Sequence, residues 1–530
     1  MFRKYTFYFL MIFAFWGCSD DFLEVENQNS LSESSFYQTA QDFEDLINTC
    51  YMPIGHTQSN VGLNVINFAI DDRVLHEQVN TSALQYDPTN GAIFNVYQAL
   101  FEGVFRTNLF IQKFTDEIAI DDQRRATILG EAHFLRGMYY YYLGFWYEVP
   151  PLLTEPATDP RVGYPNASKD QIFDFVEQEF LLAIDLLPEE WTGSELGRAT
   201  KGAAMAYLGK AYLIRSKFQE SATVLGDLID AQLYSLNMPQ GQDSLDYVYA
   251  YLANFSSIDL PHNGTAYRSE FNTESIFEIN YSLAYDEGNR ASEFLPLRRS
   301  TGGHMTYYNG YSNITGGFGN IAADDKKFPD EFERPTNHPA GLSRDPRYYA
   351  FFLEIGDQLD FRPDNPLFNE VFSEASLNSS IGSKKGMRKQ LYPFHTTYTW
   401  PNAPFQDPNN WRLMRYAEVL LMYAEAKVRE TGNFAEASAL AALNQVRERA
   451  GLAPLTVLSR DAIIHERDIE LAGEHKRFWD LARWYNDGWL SLEEVQEFKP
   501  TFQDRHVAFP IPLGEINRHY GVLKQNPKWL

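Results

Sequence analysis

The chain is predicted to be mainly α-helical: a tetratricopeptide-like scaffold of about four helix pairs, with a loop-rich insertion carrying short strands. Three observations predict this. Two stretches share one pattern: AAMAYLGKAYLIRSKFQESATVLGDLI (203–229) and EVLLMYAEAKVRETGNFAEASALAALNQV (418–446). Each reads as helix, polar turn, aromatic (Phe218, Phe434) and second helix, with small residues at Ala206, Gly209, Ala424 and Ala426 where two helices would approach. Between them the composition changes, and residues 254–408 are rich in Gly, Asn, Pro, Ser and Tyr. TGGHMTYYNGYSNITGGFGN (301–320) is the extreme case. Such composition builds loops and short strands, because Gly supplies positive φ and Pro and Asn favour turns.

The elements follow in chain order. Arg3 and Lys4 precede an apolar and aromatic run from Tyr5 to Trp16, too short for a spanning helix, which needs about 20 apolar residues. A basic start, a short apolar run and a small residue describe a signal peptide over 1–17. The cut then falls after Gly17 and makes Cys18 the new N-terminus. A thiol there can take a thioether-linked lipid, and two or more acyl chains give stable anchoring. Residues 18–34, opening Cys18-Ser19-Asp20-Asp21, read as an acidic tether.

Helical periodicity dominates from Ser35 to about Ala119, with breaks expected at Pro53, Gly55 and Asp87-Pro88. ATILGEAHFLRGMYYYYLGFWYEVP reads as one long helix stopped by Pro150-Pro151. A second helix is expected from Lys169 to Leu187, with Ser168 as its N-cap and Pro188 as its stop. The resulting division is 35–253 helical, 254–408 loop-rich and 409–530 helical.

Composition narrows function. Lys and Arg total 45, Asp and Glu 71, and the formal net charge is −26. Nucleic-acid binding rests on neutralising phosphates with basic side chains, so that class is excluded. Anionic membrane surfaces offer no attraction either. Aromatics make up 15 % of the chain, enough for a large core and a binding surface besides. With Cys18 acylated, Cys50 has no partner and reads as a small buried hydrophobe.

Enzyme signatures are weak. His465-Glu466 and Glu474-His475 lack the four-residue His spacing of a zinc protease helix. GGFGN lacks the Lys-Ser/Thr of a phosphate loop, and no Gly-x-Ser-x-Gly elbow is found. Carboxylates are too abundant to single out a glycosidase pair. Glu466, Arg467, Glu470, Glu474, Arg477, Asp480 and Arg483 alternate in sign at helical spacing, the pattern of a helix laced by ion pairs. Likewise Arg412 and Arg415 stand at helical spacing from Glu418 and Glu425. No cofactor and no metal site are expected.

Four C-terminal stretches, in order, carry a family resemblance: WRLMRYAEVLLMYAEAKV, LNQVRERAGL, IIHERDIELAGEHKRFWDLARW and FPIPLGEINRHYGVLKQNP. With the Cys18 region, LRGMYYYYLGFWYEVPPL and GRATKGAAMAYLGKAYL, they resemble the SusD/RagB family of outer-membrane nutrient-binding lipoproteins over essentially the whole mature chain. The resemblance implies a lipid-anchored protein facing the cell exterior, paired with a SusC-like TonB-dependent barrel transporter whose mouth it closes. It implies capture of a nutrient, most often an oligosaccharide and in some members a peptide, without catalysis. A helical-repeat adaptor for proteins is the alternative, and a surface hydrolase has little support.

Glycan binders of such a family lay the sugar on loop aromatics, whose faces stack on its C–H face. The candidates here are Tyr307, Tyr308, Tyr311 and Phe318 in the glycine-rich stretch, and Tyr398 and Trp400 before Pro401. Asp71, Asp72 and Arg73, in FAIDDRVLHE after the first helices, complete the set.

Overall fold

A computed structural model describes residues 37–59, 70–76, 79–157, 159, 161–256, 258–280, 321–359, 361, 371–374, 383–389 and 410–530. Its principal helices are α1 (Ala40–Ser59), α2 (Gly91–Lys113), α3 (Asp122–Tyr147), α4 (Lys169–Leu186), α5 (Lys201–Ile214), α6 (Phe218–Asp230) and α7 (Ser244–Leu252). After the insertion come α8 (Pro346–Phe351), α9 (Tyr416–Thr431), α10 (Ala437–Arg449), α11 (Arg460–Leu471), α12 (Arg477–Asn486), α13 (Leu492–Phe498) and α14 (Leu513–Arg518).

Four helix pairs stack in order: α1 with α2, α3 with α4, α5 with α6, and α9 with α10. The fourth pair comes from beyond the insertion and lies against α6. Small residues set these approaches. A Cβ on Gly209 would come within 2.5 Å of Leu225, and one on Gly226 within 3.2 Å of Tyr423. One apolar core runs through all four pairs. Two smaller cores lie under the remainder, one around α7 and Leu260, the other around Phe328, Phe351 and Phe352.

Central helix α3 is buried all round over its second half, which fits a helix enclosed by neighbours on every side. Its tyrosines carry polar tips into that core, and most find partners. Tyr139 donates to the Cys50 carbonyl at 2.6 Å, Tyr140 to that of Leu153 at 2.9 Å, and Tyr147 to that of Ile93 at 2.7 Å. The α4 boundaries follow expectation: the Ser168 side chain accepts from Gln171 N–H, and the Gln171 side chain closes a capping box.

Pro53 does not end a helix. It lies inside α1. A proline there removes the N–H that the Thr49 carbonyl would accept. Arg106 on α2 replaces it, donating from Nη1 to Thr49 O at 2.8 Å. Cys50 is fully buried, as expected, and its thiol is free of any disulfide and donates to the Leu46 carbonyl at 3.4 Å.

The charged motif also differs from expectation. Residues 466–483 form two helices, α11 and α12, and their charges are satisfied largely between elements. Glu466 pairs with Arg347 (2.7 Å) and Arg447 (3.0 Å). Arg412 and Arg415 belong to strand Trp411–Arg415 rather than to α9. Arg415 reaches Glu474 (2.8 Å) and Glu470 (2.8 Å), and Arg412 reaches Glu278 (3.0 Å). Glu418 bridges α9 to Lys210 of α5 at 2.7 Å and to Lys476 at 2.9 Å. Sequence spacing displayed the alternation, but the partners are set by the stacking of distant segments.

The strands are short and pair antiparallel in twos. They are β1 (Val74–His76) with β5 (Ile321–Ala323), β2 (Leu260–His262) with β3 (Thr265–Tyr267), β4 (Ser275–Ile279) with β8 (Trp411–Arg415), and β6 (Phe352–Glu354) with β7 (Lys385–Met387). The β4–β8 pair seats both ends of the insertion on the scaffold, with Ile279 opposite Trp411.

Candidate ligand-binding groove

Where β4 leaves the scaffold, an open groove of about 430 Å³ is lined by the α4–α5 connection, the segment after α6, and the loop before β4. This volume falls in the range of small-molecule sites, roughly 300–1,000 Å³. Three half-buried rings line it: Trp191, Tyr234 and Phe271.

Each ring is held by a specific contact. Trp191 follows Pro188-Glu189-Glu190 in the turn beyond α4, and its Nε1 donates to the Ala199 carbonyl at 2.8 Å. Arg124 lies over the same ring at 5.6 Å. The Tyr234 and Thr200 hydroxyls lie 3.0 Å apart, and Thr200 also caps α5. Gly202 lets the Tyr234 ring close on α5, since a Cβ there would come within 2.5 Å of it. Phe271 takes a left-handed backbone (φ 50°), and its N–H donates to Glu278 Oε1 at 2.6 Å. Glu278 is buried, which pushes its carboxyl up, while Arg412 opposes that rise.

The rim is polar. Glu189, Glu190, Thr192, Thr273 and Arg268 are exposed. Arg198, at the inner wall, is already engaged by Glu131 (2.8 Å), Glu195 and Asn48 (3.1 Å). At Gly197, φ is 94° and a Cβ would strike Asn280 Nδ2, so the wall requires glycine. A surface of half-buried rings with hydroxyl, carboxylate and guanidinium groups at its edge is suited to stacking and hydrogen-bonding a sugar.

Sequence reasoning missed this groove. Trp191 carried a readable signal, being a tryptophan in the Gly/Ser-bearing turn PEEWTGSELG between two helices. Tyr234 and Phe271 carried none, because their positions depend on three separated segments meeting.

Of the sequence candidates, Cys18, Tyr307, Tyr308, Tyr311, Phe318, Tyr398 and Trp400 lie outside the described residues. Asp71, Asp72 and Arg73 are described, and their side chains turn into the protein, with Asp71 Oδ2 and Asp72 Oδ1 lacking a hydrogen-bond partner. Arg73 is 3 % exposed and pairs with Asp468 and, at 2.7 Å, with Glu331. Asp72 lies 3.5 Å from Arg477, and Asp71 accepts from Arg73 N–H at 2.8 Å. Burial, then the neighbouring charge of Asp72, pushes the Asp71 carboxyl up to about 7. The trio braces the segment leading into β1.

One other cluster could ligate a metal among the described residues. Asp243, Asp246 and His262 bring ligand atoms within 4.8 Å of one another. Structural roles account for the two carboxylates. Asp243 caps α7, and Asp246 accepts from the Tyr267 hydroxyl at 2.7 Å.

Fold and groove together define a helical-repeat binding protein. The SusD family model matches residues 273–529, and a second model, described as starch-binding associating with outer membrane, matches residues 21–213. The chain belongs to the SusD-like family, whose members bind carbohydrate and are not catalysts. Two SusD-like proteins of Formosa agariphila are similar to it. One is 22 % identical, covering 96 % of this chain and 95 % of the relative; the other is 24 % identical, covering 90 % of each. Among solved structures, a SusD-like protein of Bacteroides fragilis superposes with a TM-score of 0.72 at 22 % identity, covering 94 % of this chain and 98 % of that one. A laminarin-binding SusD-like protein superposes with a TM-score of 0.68 at 22 % identity, covering 93 % of this chain and all of that one.

Proposed function

We propose that this protein is a cell-exterior lipoprotein, anchored through Cys18, that captures a neutral oligosaccharide and passes it to a SusC-like TonB-dependent transporter beneath it. In this reading residues 18–34 are the leash. The pairs within 35–253 and 409–530 are the frame, and the 254–408 region is the ligand-binding insertion.

The observation that carries the reading is the groove itself, with three half-buried rings and a polar rim at the foot of the insertion. Its exposed acids, Glu189 and Glu190, face one exposed base, Arg268, on a chain of net charge −26. That balance repels sulfated or uronate-rich polymers and leaves neutral glycans favoured. Family membership and the laminarin-binding neighbour point to the same ligand class.

Calorimetric titration of the mature protein with laminarin and starch oligosaccharides, against a sulfated and a uronate polymer, tests the ligand. Saturable binding of a neutral glycan, weakened by Trp191→Ala, is expected. No neutral-glycan binding, or binding untouched by Trp191→Ala, would refute the groove. Cys18→Ser is expected to move the protein out of the membrane fraction, and affinity purification from detergent extract is expected to recover the barrel.

A further inference from the structure

A second pocket shares no residue with the groove. It lies between α2, the segment 151–164 and α14, and encloses about 190 Å³. That is room for roughly six waters, or one small ring, at about 30 Å³ of liquid per water.

Its walls are aromatic. Tyr97, Phe101, Phe105, Tyr164 and His519 line it, and Phe105 is 41 % exposed at its mouth. The Tyr97 and Phe101 rings lie 4.8 Å apart, and those of Tyr164 and His519 lie 5.9 Å apart. Two acids, Glu155 and Glu515, line the same pocket, and among the described residues no lysine or arginine does. Glu515 uses Oε1 to accept from the exposed Arg518 at 2.7 Å.

One buried polar group lacks a counterpart. The Tyr97 hydroxyl is buried with no hydrogen-bond partner, and the residue is 2 % exposed. His519 Nδ1 accepts from Tyr164 N–H at 3.0 Å, which puts the ring proton of the neutral imidazole on Nε2. Burial pushes His519 below its usual range, so the ring is neutral at pH 7.

We propose that this pocket is a second binding site, for an amino sugar with a free ammonium group. Aromatic walls beside carboxylates favour an organic cation, through ring quadrupoles and direct charge. The aromatic surface also suits a sugar's C–H face. His519 Nε2–H is a donor that a sugar hydroxyl oxygen satisfies. A lysine side chain of a partner protein offers three donors and no acceptor, and would leave it unanswered.

The test is titration of the full mature protein with glucosamine, glucose, N-acetylglucosamine and lysine amide, followed by calorimetry and by ligand-observed NMR. Glucosamine is expected to bind at least tenfold tighter than the other three. Glu515→Gln is expected to weaken it roughly fivefold, the effect of losing one partly exposed charge pair. Phe105→Ala, at an exposed position, is expected to weaken it without disturbing the fold. Neutral-glycan binding in the groove should survive both changes, so the two sites fail separately. Equal affinity for glucose and glucosamine, or lysine amide binding as tightly, would overturn the proposal. So would glucosamine binding that falls with Trp191→Ala and not with Glu515→Gln.

Discussion

Glu425 offers a sharp test of what holds the fourth helix pair in place. It is fully buried on α9, and Arg483 of α12 grips it with two bonds of 2.6 Å. Trp484 Nε1 donates to the same carboxylate at 3.0 Å. Burial alone would raise this acid. Arg483, with Arg467 and Arg429 beyond it, outweighs burial and holds it at about 2, against an ordinary 4.5. At about 1.4 kcal/mol per pH unit, that gap is worth about 3 kcal/mol of folding free energy at pH 7. The pKa is depressed in the fold, so this stability is present above pH 4.5. It is lost as pH falls toward about 2. Glu425→Gln keeps the volume and removes the charge. In equilibrium urea unfolding read by tryptophan fluorescence, the variant is expected to lose about 3 kcal/mol at pH 7, with the gap to wild type closing between pH 4.5 and 2. A gap under 1 kcal/mol at pH 7, or one that does not narrow on acidification, would refute the reasoning.

Trp191→Ala is expected to lower groove affinity for a neutral oligosaccharide about tenfold, the loss of one stacking face worth about 1–2 kcal/mol, measured by calorimetry. Asp71→Asn has the opposite pH signature to Glu425→Gln. The wild-type carboxyl is raised to about 7, so its contribution is present below pH 3.8 and lost as pH rises through about 7. Unfolding midpoints should therefore show Asp71→Asn more stable than wild type above pH 7, with the advantage fading toward pH 4. Gly209→Ala places a methyl within 2.5 Å of Leu225 and should cost about 1–3 kcal/mol by denaturant unfolding.

Much of the architecture was legible in the sequence because it is written locally. Helix spacing, the Ser168 cap, the Pro150-Pro151 stop and the two similar hairpins are all short-range features, and the structure contains them. Pro53 misled because its rescue by Arg106 comes from another helix. The charges of 466–483 misled for the same reason, their partners being strands, helices and connecting segments up to about four hundred residues away. The groove was legible only at Trp191. Tyr234 and Phe271 become neighbours through the docking of three segments, and no local pattern encodes that. Asp71 to Arg73 are candidates by their place after the first helices, a region that often faces ligand in the family resembled, whereas Asp468, Glu331 and Arg477 engage Asp72 and Arg73 in the interior.

The seat of α9 against α6 has a consequence for biogenesis. Gly226 meets Tyr423, and everything between them, the entire insertion included, must be synthesised before the two can touch. Until then the flank of α6 that α9 will cover stays bare, on a half-made polypeptide in an aqueous compartment. Closure over so long an interval is slow. A nascent chain of this protein is therefore a customer for holdase chaperones until its last third has been made, and a truncation short of Thr431 should aggregate rather than yield a smaller working unit.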